Sequence, residues 1–326
     1  MPNALFPSRD RLIVCAAHPA YQLAAALKAR APDITCFQVR SREEFRSRIG
    51  EADVVMVSGL WDNALVEHAP RLTFIQSVSA GTDQYDKALL QARGIRLASA
   101  AGVNARAVAE HAMGMLLALK RLIHTGRDHQ AQRHWRGMIA DIGSREDEIG
   151  GKTMLIVGMG RIGSAIAARA KAFDMTVIGV KRDPATGAEG ADSVHRTAEL
   201  VRLLPRADVV VLACPLTAET ERLIDAKAFG VMKPTATLIN VARGRVVDET
   251  ALIAALQSGQ IAAAGIDVTE VEPLPALSPL WSLPNVLLTP HTAGETQAYE
   301  SNVVDILMDN LDRLWRAEMP LRNAIV

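Results

Sequence analysis

Residues 150–163 read GGKTMLIVGMGRIG, and no other stretch of the chain restricts its possible folds as tightly. Thr153–Val157 is a short apolar run, the pattern of a buried strand, and residues 162–173 (IGSAIAARAKAF) carry apolar side chains at helical spacing. Between them lies Gly158-x-Gly160-x-x-Gly163. In a strand, turn and helix of this kind, Gly158 permits the tight turn, Gly160 lets a pyrophosphate approach the backbone, and Gly163 lets the helix pack closely on the strand. The phosphates would sit on the free N–H groups and positive dipole end of the helix. The segment therefore predicts a dinucleotide site.

At 326 residues the chain is long enough for two cores, so two domains are expected. Its 36 basic and 36 acidic residues cancel, which leaves no charge excess to attract nucleic acid or an anionic membrane surface. The apolar runs are broken by charges before any could span a bilayer. The opening MPNALFPSRD lacks a basic segment followed by an apolar one, so a cytoplasmic protein without a leader is expected. Cys15 and Cys36 lie in strand-like runs and Cys214 at a strand end; they read as small hydrophobes, not a disulfide framework.

Residues 12–97 alternate strand and helix: LIVCAA, YQLAAALKA, ITCFQV, SREEFRSRI, DVVMVS, NALVEHA, TFIQSV, DKALLQARG, IRLAS. Such alternation implies right-handed βαβ units and a parallel sheet covered by helices. After the strand at 74–78 comes Ser79-Ala80-Gly81-Thr82-Asp83, at the sheet end where ligands bind, and the glycine leaves backbone N–H groups open to an anion. Residues 104–130 have helical apolar spacing at Val108, Ala112, Met115, Leu116 and Leu119 and read as one long helix leading out of this domain. His124, His129 and His134 are spaced by five, so on a helix successive rings point about 140° apart and do not converge on a metal. Residues 131–149, with Trp135, read as an arm that packs on a partner subunit.

A second doubly wound domain is expected from Gly151. Its second strand, at 176–180, is followed by Lys181-Arg182-Asp183-Pro184. An NAD site wants a carboxylate here for the ribose hydroxyls, whereas cations suit a 2′-phosphate. Lys181 and Arg182 therefore point to NADP(H), with NAD left open by Asp183 just beyond. A strand at 209–213 ends at Cys214-Pro215-Leu216-Thr217, with Thr220 close behind, along the cofactor's path. The strand at 237–241 ends in Val241, followed by Ala242, Arg243 and Gly244; that at 262–268 holds Asp267 and leads to Glu270, Glu272 and Pro273; that at 286–288 presents Thr289-Pro290-His291-Thr292-Ala293-Gly294.

Three complementary groups thus follow three strand ends of one sheet. The Arg243 guanidinium can pair bidentately with a carboxylate. His291 can give and take a proton near neutral pH. A carboxylate such as Glu272, hydrogen-bonded to the imidazole, would stabilise its protonated form. This is the set that reduction of a 2-oxo acid by a nicotinamide requires.

The stretch VARGRVVDETALIAALQSGQIAAAGIDVTEVEPLP, with NVLLTPH after it, resembles the D-isomer-specific 2-hydroxyacid dehydrogenases, the group of glyoxylate and hydroxypyruvate reductases. NARAVAEHAMGMLLALKR, GKTMLIVGMGRIG, CPLTAETERLI and PLRNAIV extend the similarity from about Ile75 to the end. The resemblance implies Arg243, Glu272 and His291 as catalytic triad, Ala80 and Gly81 as backbone donors to the substrate carboxylate, with Arg243 also binding it, and Arg161, Ile162, Lys181, Pro215, Thr220, Ala242 and Asp267 among the cofactor contacts. It implies two Rossmann-like domains with the active site in the cleft between them: a discontinuous, flavodoxin-like substrate domain of residues 1–103 and 295–326, closed by a helix at 295–317, and a dinucleotide domain of 104–294 whose segment 104–149 is linker helix and dimerisation arm. A homodimer without metal is implied, with a small 2-oxo or 2-hydroxy acid as substrate. Many members have an acidic residue where Lys181 stands. His291 is followed by Thr-Ala-Gly, a modest variation. Glu272 before proline, where the formate-oxidising branch has glutamine, disfavours formate. The rival readings are an NAD-linked dehydrogenase of D-2-hydroxy acids or of phosphite, and a dinucleotide-sensing scaffold like the corepressor relatives. Met56, Trp61 and the Trp135 region could line the substrate pocket or serve as core and interface.

Overall fold

The computed structural model describes residues 6–187 and 190–326. The first five residues, part of the stretch read above for a leader, lie outside them. The chain divides into two compact units, one running to Asn104 and resuming at Thr296, the other Ala105–Glu295. No described helix is long and apolar enough to cross a membrane.

The first unit is built on five parallel strands, β1 (Ile13–Ala17), β2 (Thr35–Val39), β3 (Val54–Val57), β4 (Phe74–Ser77) and β5 (Arg96–Ala98), in the order β2-β1-β3-β4-β5. Helices α1 (Leu23–Arg30), α2 (Arg42–Arg48) and α3 (Lys87–Ala92) complete the crossovers. Residues 63–68, read above as a helix, form a 3-10 segment. Central strands such as β3 (VVMV) are apolar throughout because both sheet faces are covered. Alternate side chains feed two cores: Val14, Met56 and Phe74 one, Cys15, Val55, Trp61 and Ile75 the other. The chain returns in the helix Tyr299–Trp315, whose stripe Val303, Ile306, Leu307, Leu311 and Leu314 enters the first of these cores. Asn310, wholly buried in that helix, donates to Gln76 Oε1 at 3.0 Å and accepts Arg322 N–H at 2.7 Å, so the tail is tied to β4. This helix begins four residues later than the pattern from residue 295 predicts.

The second unit opens with two helices where one long helix is expected: α4 (Ala105–Lys120) and α5 (Ile123–Ala131). The break is at Leu122, in the left-handed region at φ +51°. The Lys120 side chain is drawn inward to the Thr235 carbonyl (3.3 Å) and Asp147 (3.4 Å), while His124 Nδ1 satisfies the Ala118 carbonyl at 2.9 Å. Those tertiary bonds outweigh continuation of the helix. After α5 the chain doubles back, His134 N–H donating to the His129 carbonyl at 2.9 Å, and the two rings meet edge to face at 4.8 Å. The prediction that these histidines diverge assumed an unbroken helix and is corrected for this pair. His124 instead stays on Ala118.

Seven parallel strands follow: β6 (Thr153–Val157), β7 (Thr176–Lys181), β8 (Ser193–Arg196), β9 (Val209–Leu212), β10 (Thr237–Asn240), β11 (Ala263–Ile266) and β12 (Val286–Leu288). Helices α6 (Arg161–Ala172), α7 (Leu200–Leu203), α8 (Ala226–Val231) and α9 (Glu249–Gln257) lie between them; the helix Tyr299–Trp315 is α10. The order β12-β11-β10-β9-β6-β7-β8 reverses direction between β6 and β9, the switch point at which such sheets bind ligands. Helix α4 crosses β11 at Gly265, where a side chain would come within 3.1 Å of Met115 Cβ. Strand β8, SVHR, has no apolar run to announce it because it is a half-exposed edge.

Candidate active site

The three glycines of the turn after β6 do three different things. Gly158 has φ +99°, and a Cβ there would lie 2.5 Å from the Cys214 nitrogen, so the turn presses directly on the segment leaving β9. A Cβ on Gly163 would overlap the Gly158 carbonyl; only glycine lets α6 come this close to β6. Around Gly160 nothing lies within 4 Å. That open side faces the start of α6, whose N-cap Gly160 has no side chain to cap the first turn, the kind of helix start that attracts an anion. A cavity of about 290 Å³ adjoins the turn, lined by Gly158, Gly160, Lys181, Arg182, Pro215 and Thr220 among others. Its size is at the lower end of ligand pockets, roughly 300–1,000 Å³, and its lining suits the phosphate-bearing half of a dinucleotide.

Strand β7 runs one residue further than predicted, so Lys181 ends the strand and Arg182 is the first residue beyond it. Half-buried Lys181 donates its Nζ to the Gly187 carbonyl at 2.7 Å, and Arg182 lies 4.0 Å from Glu219, both side chains of that pair being largely exposed. Asp183 turns away: its carboxylate accepts Ala185 N–H at 3.0 Å, capping its own turn. The Thr220 hydroxyl donates to the Pro215 carbonyl and accepts Thr217 N–H, both at 2.7 Å, and so shapes the loop. Met159, Thr197 and Glu219 also line the cavity and escaped the sequence reading; each is set by the turn of its loop, with no motif to mark it. Arg161 and Ile162 open α6, and Val241 and Ala242 are buried behind β10. None of these four lines the cavity, nor do Gly163, Asp267 and His291. Cys214 does, and burial pushes its thiol up to about 11. At pH 8 its alkylation by iodoacetamide should therefore be roughly a hundredfold slower in the folded than in the unfolded protein. Equal rates would contradict the buried, protonated thiol.

The residues after β10, β11 and β12 come from three adjacent strands. His291 Nδ1 lies 2.7 Å from Glu272 Oε2. The carboxylate can only accept, so Nδ1 carries hydrogen and Nε2 is left to exchange a proton with a ligand. The other oxygen, Glu272 Oε1, accepts Thr269 N–H at 3.2 Å, a positioning bond that no sequence pattern shows. His291 holds a left-handed backbone, φ +56°, at a cost of about 1–2 kcal/mol. Asp267 supports it: the buried carboxylate accepts from the Thr289 hydroxyl (2.6 Å), Thr292 N–H (2.9 Å) and Ala293 N–H (3.1 Å), and the Asp267 carbonyl accepts His291 N–H (2.8 Å). Asp267, expected among the cofactor contacts, spends its carboxylate on this loop. Arg243 is exposed, donates to the Ala242 carbonyl at 2.7 Å, and has no carboxylate partner among the described residues. Its neighbour Gly244 packs so tightly on the Thr269–Glu270 backbone that a Cβ there would collide with the Thr269 carbonyl. The turn carrying Arg243 thus rests on the loop that carries Glu272. From β6 to β11 is three inter-strand steps, roughly 14 Å, so a ligand seated on the glycine turn must be an extended one to reach these groups.

In the first unit, the segment after β4 is held by serines. Ser79 Oγ donates to the Gly81 carbonyl and pairs with Ser58 Oγ, both at 2.8 Å, and Ser79 N–H donates to Ser77 Oγ. Ala80 and Gly81 N–H groups make no hydrogen bond among the described residues. Met56 and Trp61 are core residues, 0% and 5% exposed. Trp135 is 97% exposed. Among the described residues no group of three or more potential ligands could hold a metal ion.

The family model described as D-isomer specific 2-hydroxyacid dehydrogenase, NAD binding domain, matches residues 113–293. Over 290 residues the chain is 39% identical to the glyoxylate reductase of Pyrococcus furiosus, covering 86% of this chain and 84% of that one. Over 251 residues it is 42% identical to glyoxylate/hydroxypyruvate reductase B of Citrobacter koseri, 77% of each chain. A crystal structure of NADPH-dependent glyoxylate/hydroxypyruvate reductase from Sinorhizobium meliloti, in complex with NADP and malonate, superposes with a TM-score of 0.78 at 28% identity, over 97% of each chain. Sheet order, glycine turn and these matches agree, and the chain belongs to the D-isomer specific 2-hydroxyacid dehydrogenase family, as an oxidoreductase that uses a nicotinamide dinucleotide.

Proposed function

We propose that the protein is an NADPH-preferring reductase of small 2-oxo acids such as glyoxylate or hydroxypyruvate, forming the D-2-hydroxy acid. The observation that carries this reading is the His291–Glu272 hydrogen bond of 2.7 Å, on strand ends beside that of an exposed Arg243 with no carboxylate partner among the described residues. A nicotinamide dinucleotide held by the glycine turn and α6 would, when bound, supply the hydride that the carbonyl carbon takes up. His291 Nε2 gives the proton that the carbonyl oxygen takes up, and Glu272 stabilises the imidazolium before that transfer. Arg243 holds the substrate carboxylate through its planar fork. For the first unit we assign the Ala80 and Gly81 N–H groups, which make no hydrogen bond among the described residues, to a carboxylate. A sensing scaffold has no use for this set, since binding a dinucleotide does not call for a proton donor with its own carboxylate.

Two features support NADP(H) over NAD(H): Lys181 and Arg182 line the cavity beside the glycine turn, and Asp183 is occupied in its own turn. The name of the Sinorhizobium relative, which is NADPH-dependent, points the same way. Glycines 158, 160 and 163 with α6 would hold the pyrophosphate, and the two cations the 2′-phosphate. The exposed Trp135, Met138 and Ile142 on the arm support a homodimer in which a second copy covers them.

The test is a panel of 2-oxo acids assayed with NADPH and NADH side by side. In the Lys181→Ala, Arg182→Ala double variant, NADPH affinity should fall roughly tenfold or more while that for NADH stays unchanged. Equal losses for both cofactors would remove the assignment of these cations to the 2′-phosphate.

A further inference from the structure

We propose that His111, on α4, is a positioning residue for His291, acting through Thr289 and Asp267. The proposal rests on the reading of His291 as proton donor and extends it to a residue far away in sequence. His111 Nε2 lies 2.9 Å from Thr289 Oγ1 and 3.7 Å from Asp267 Oδ1. The one hydroxyl proton of Thr289 goes to Asp267 Oδ1 at 2.6 Å. The Thr289 oxygen must then accept, and His111 Nε2 must carry the hydrogen.

The direction of these bonds gives the side chain its task. By donating, His111 fixes the Thr289 hydroxyl in the rotamer that points at Asp267. Asp267 in turn grips the loop on both sides of His291, through Thr289 before it and the Thr292 and Ala293 N–H groups after it. A residue at φ +56° keeps that backbone only if its surroundings over-determine it. His111 is itself held on a rigid element: Val108, Ala109, Ala112 and Met115 around it are buried, and Glu110 pairs with Arg169 at 2.8 Å. Loss of the donor frees the Thr289 hydroxyl to rotate, slackens one side of the loop, and lets the His291 imidazole drift from Glu272. Hydrogen bonds weaken steeply with angle, so small drift is enough.

The experiment compares His111→Phe, His111→Gln, Thr289→Val and the His111→Phe, Thr289→Val pair. It has two readouts: the low-field NMR resonance of the His291 Nδ1 proton shared with Glu272, which needs no substrate, and kcat for glyoxylate with NADPH. The Phe and Val variants should each lose roughly tenfold to a hundredfold in kcat, the effect of a small misplacement, with NADPH affinity unchanged. In both, the low-field resonance should broaden or vanish. The Gln variant, which keeps a donor, should recover most of the rate and the resonance, and the pair should be no worse than the poorer single variant. Unchanged rate and resonance in Phe and Val, additive losses in the pair, or a Gln variant as poor as Phe would overturn the proposal. Should His111→Phe fail to fold, His111→Leu, which likewise removes the donor and is smaller, takes its place with the same readouts and the same expected losses. Should the wild type reduce no 2-oxo acid, the proposed function falls, while the resonance still decides whether His111 positions His291.

Discussion

His291→Ala lowers turnover of a 2-oxo acid by a factor of roughly 10² to 10⁴, the usual contribution of a positioned general acid. The expectation follows from geometry: Nδ1 is committed to Glu272 at 2.7 Å, which leaves Nε2 to meet the carbonyl oxygen. No cavity-lining residue beside the glycine turn is touched by the change, so NADPH should bind as before. Binding measured by nicotinamide fluorescence, set against turnover measured by its absorbance, separates the two effects. Near-normal turnover would remove His291 from the chemistry, and lost cofactor binding would mean that the substitution had damaged the fold instead. Glu272→Gln should show a smaller loss in the same direction, because the amide still accepts from Nδ1 but no longer balances the imidazolium charge.

What could be seen from the residues alone was whatever repeats or stands beside a strand end. Runs such as VVMV and TMLIV announce central strands because burial on both faces leaves no room for polar alternation. The glycine turn could be read position by position, and the packing around it differs in the same way: a Cβ would meet backbone at Gly158 and Gly163 and nothing within 4 Å at Gly160. Adjacent strand ends likewise bring Glu272 and His291 into hydrogen-bond contact. Where the reading failed, a tertiary contact had overruled a local preference. Residues 104–130 have unbroken helical periodicity, yet Lys120 turns inward to Thr235 and Asp147, and Leu122 takes a left-handed backbone. Periodicity cannot report a bond to a carbonyl more than a hundred residues away.

The same limit hid the supports of the groups proposed as catalytic. His111 borders an apolar helix face and reads there as one more helical polar residue; only the fold brings it to Thr289. Thr269 acts through its backbone N–H, which every residue but proline has, so nothing in its identity could mark it. Asp267 was visible as a strand-end carboxylate, but its three hydrogen-bond donors come from a loop some 22 to 26 residues on. Sequence reading finds the groups that react more readily than those that hold them, because reactive chemistry restricts residue type and support restricts geometry.

Arg243→Ala should reduce kcat/KM for a 2-oxo acid by roughly a hundredfold, the consequence of losing charge-assisted bonds worth about 3 kcal/mol. The guanidinium is exposed, donates to the neighbouring Ala242 carbonyl, and stands on a turn fixed by Asn240, whose side chain donates to the Arg243 carbonyl at 3.2 Å. Removing the side chain should therefore leave the backbone in place and thermal stability unchanged. Arg243→Lys tells charge from shape. A lysine keeps the cation but not the planar fork, so if bidentate pairing orients the substrate, the variant should recover affinity better than turnover. Were Arg243→Ala to leave the response to substrate concentration untouched, the guanidinium would not be what holds the carboxylate, and the assignment of Arg243 as its anchor would fall.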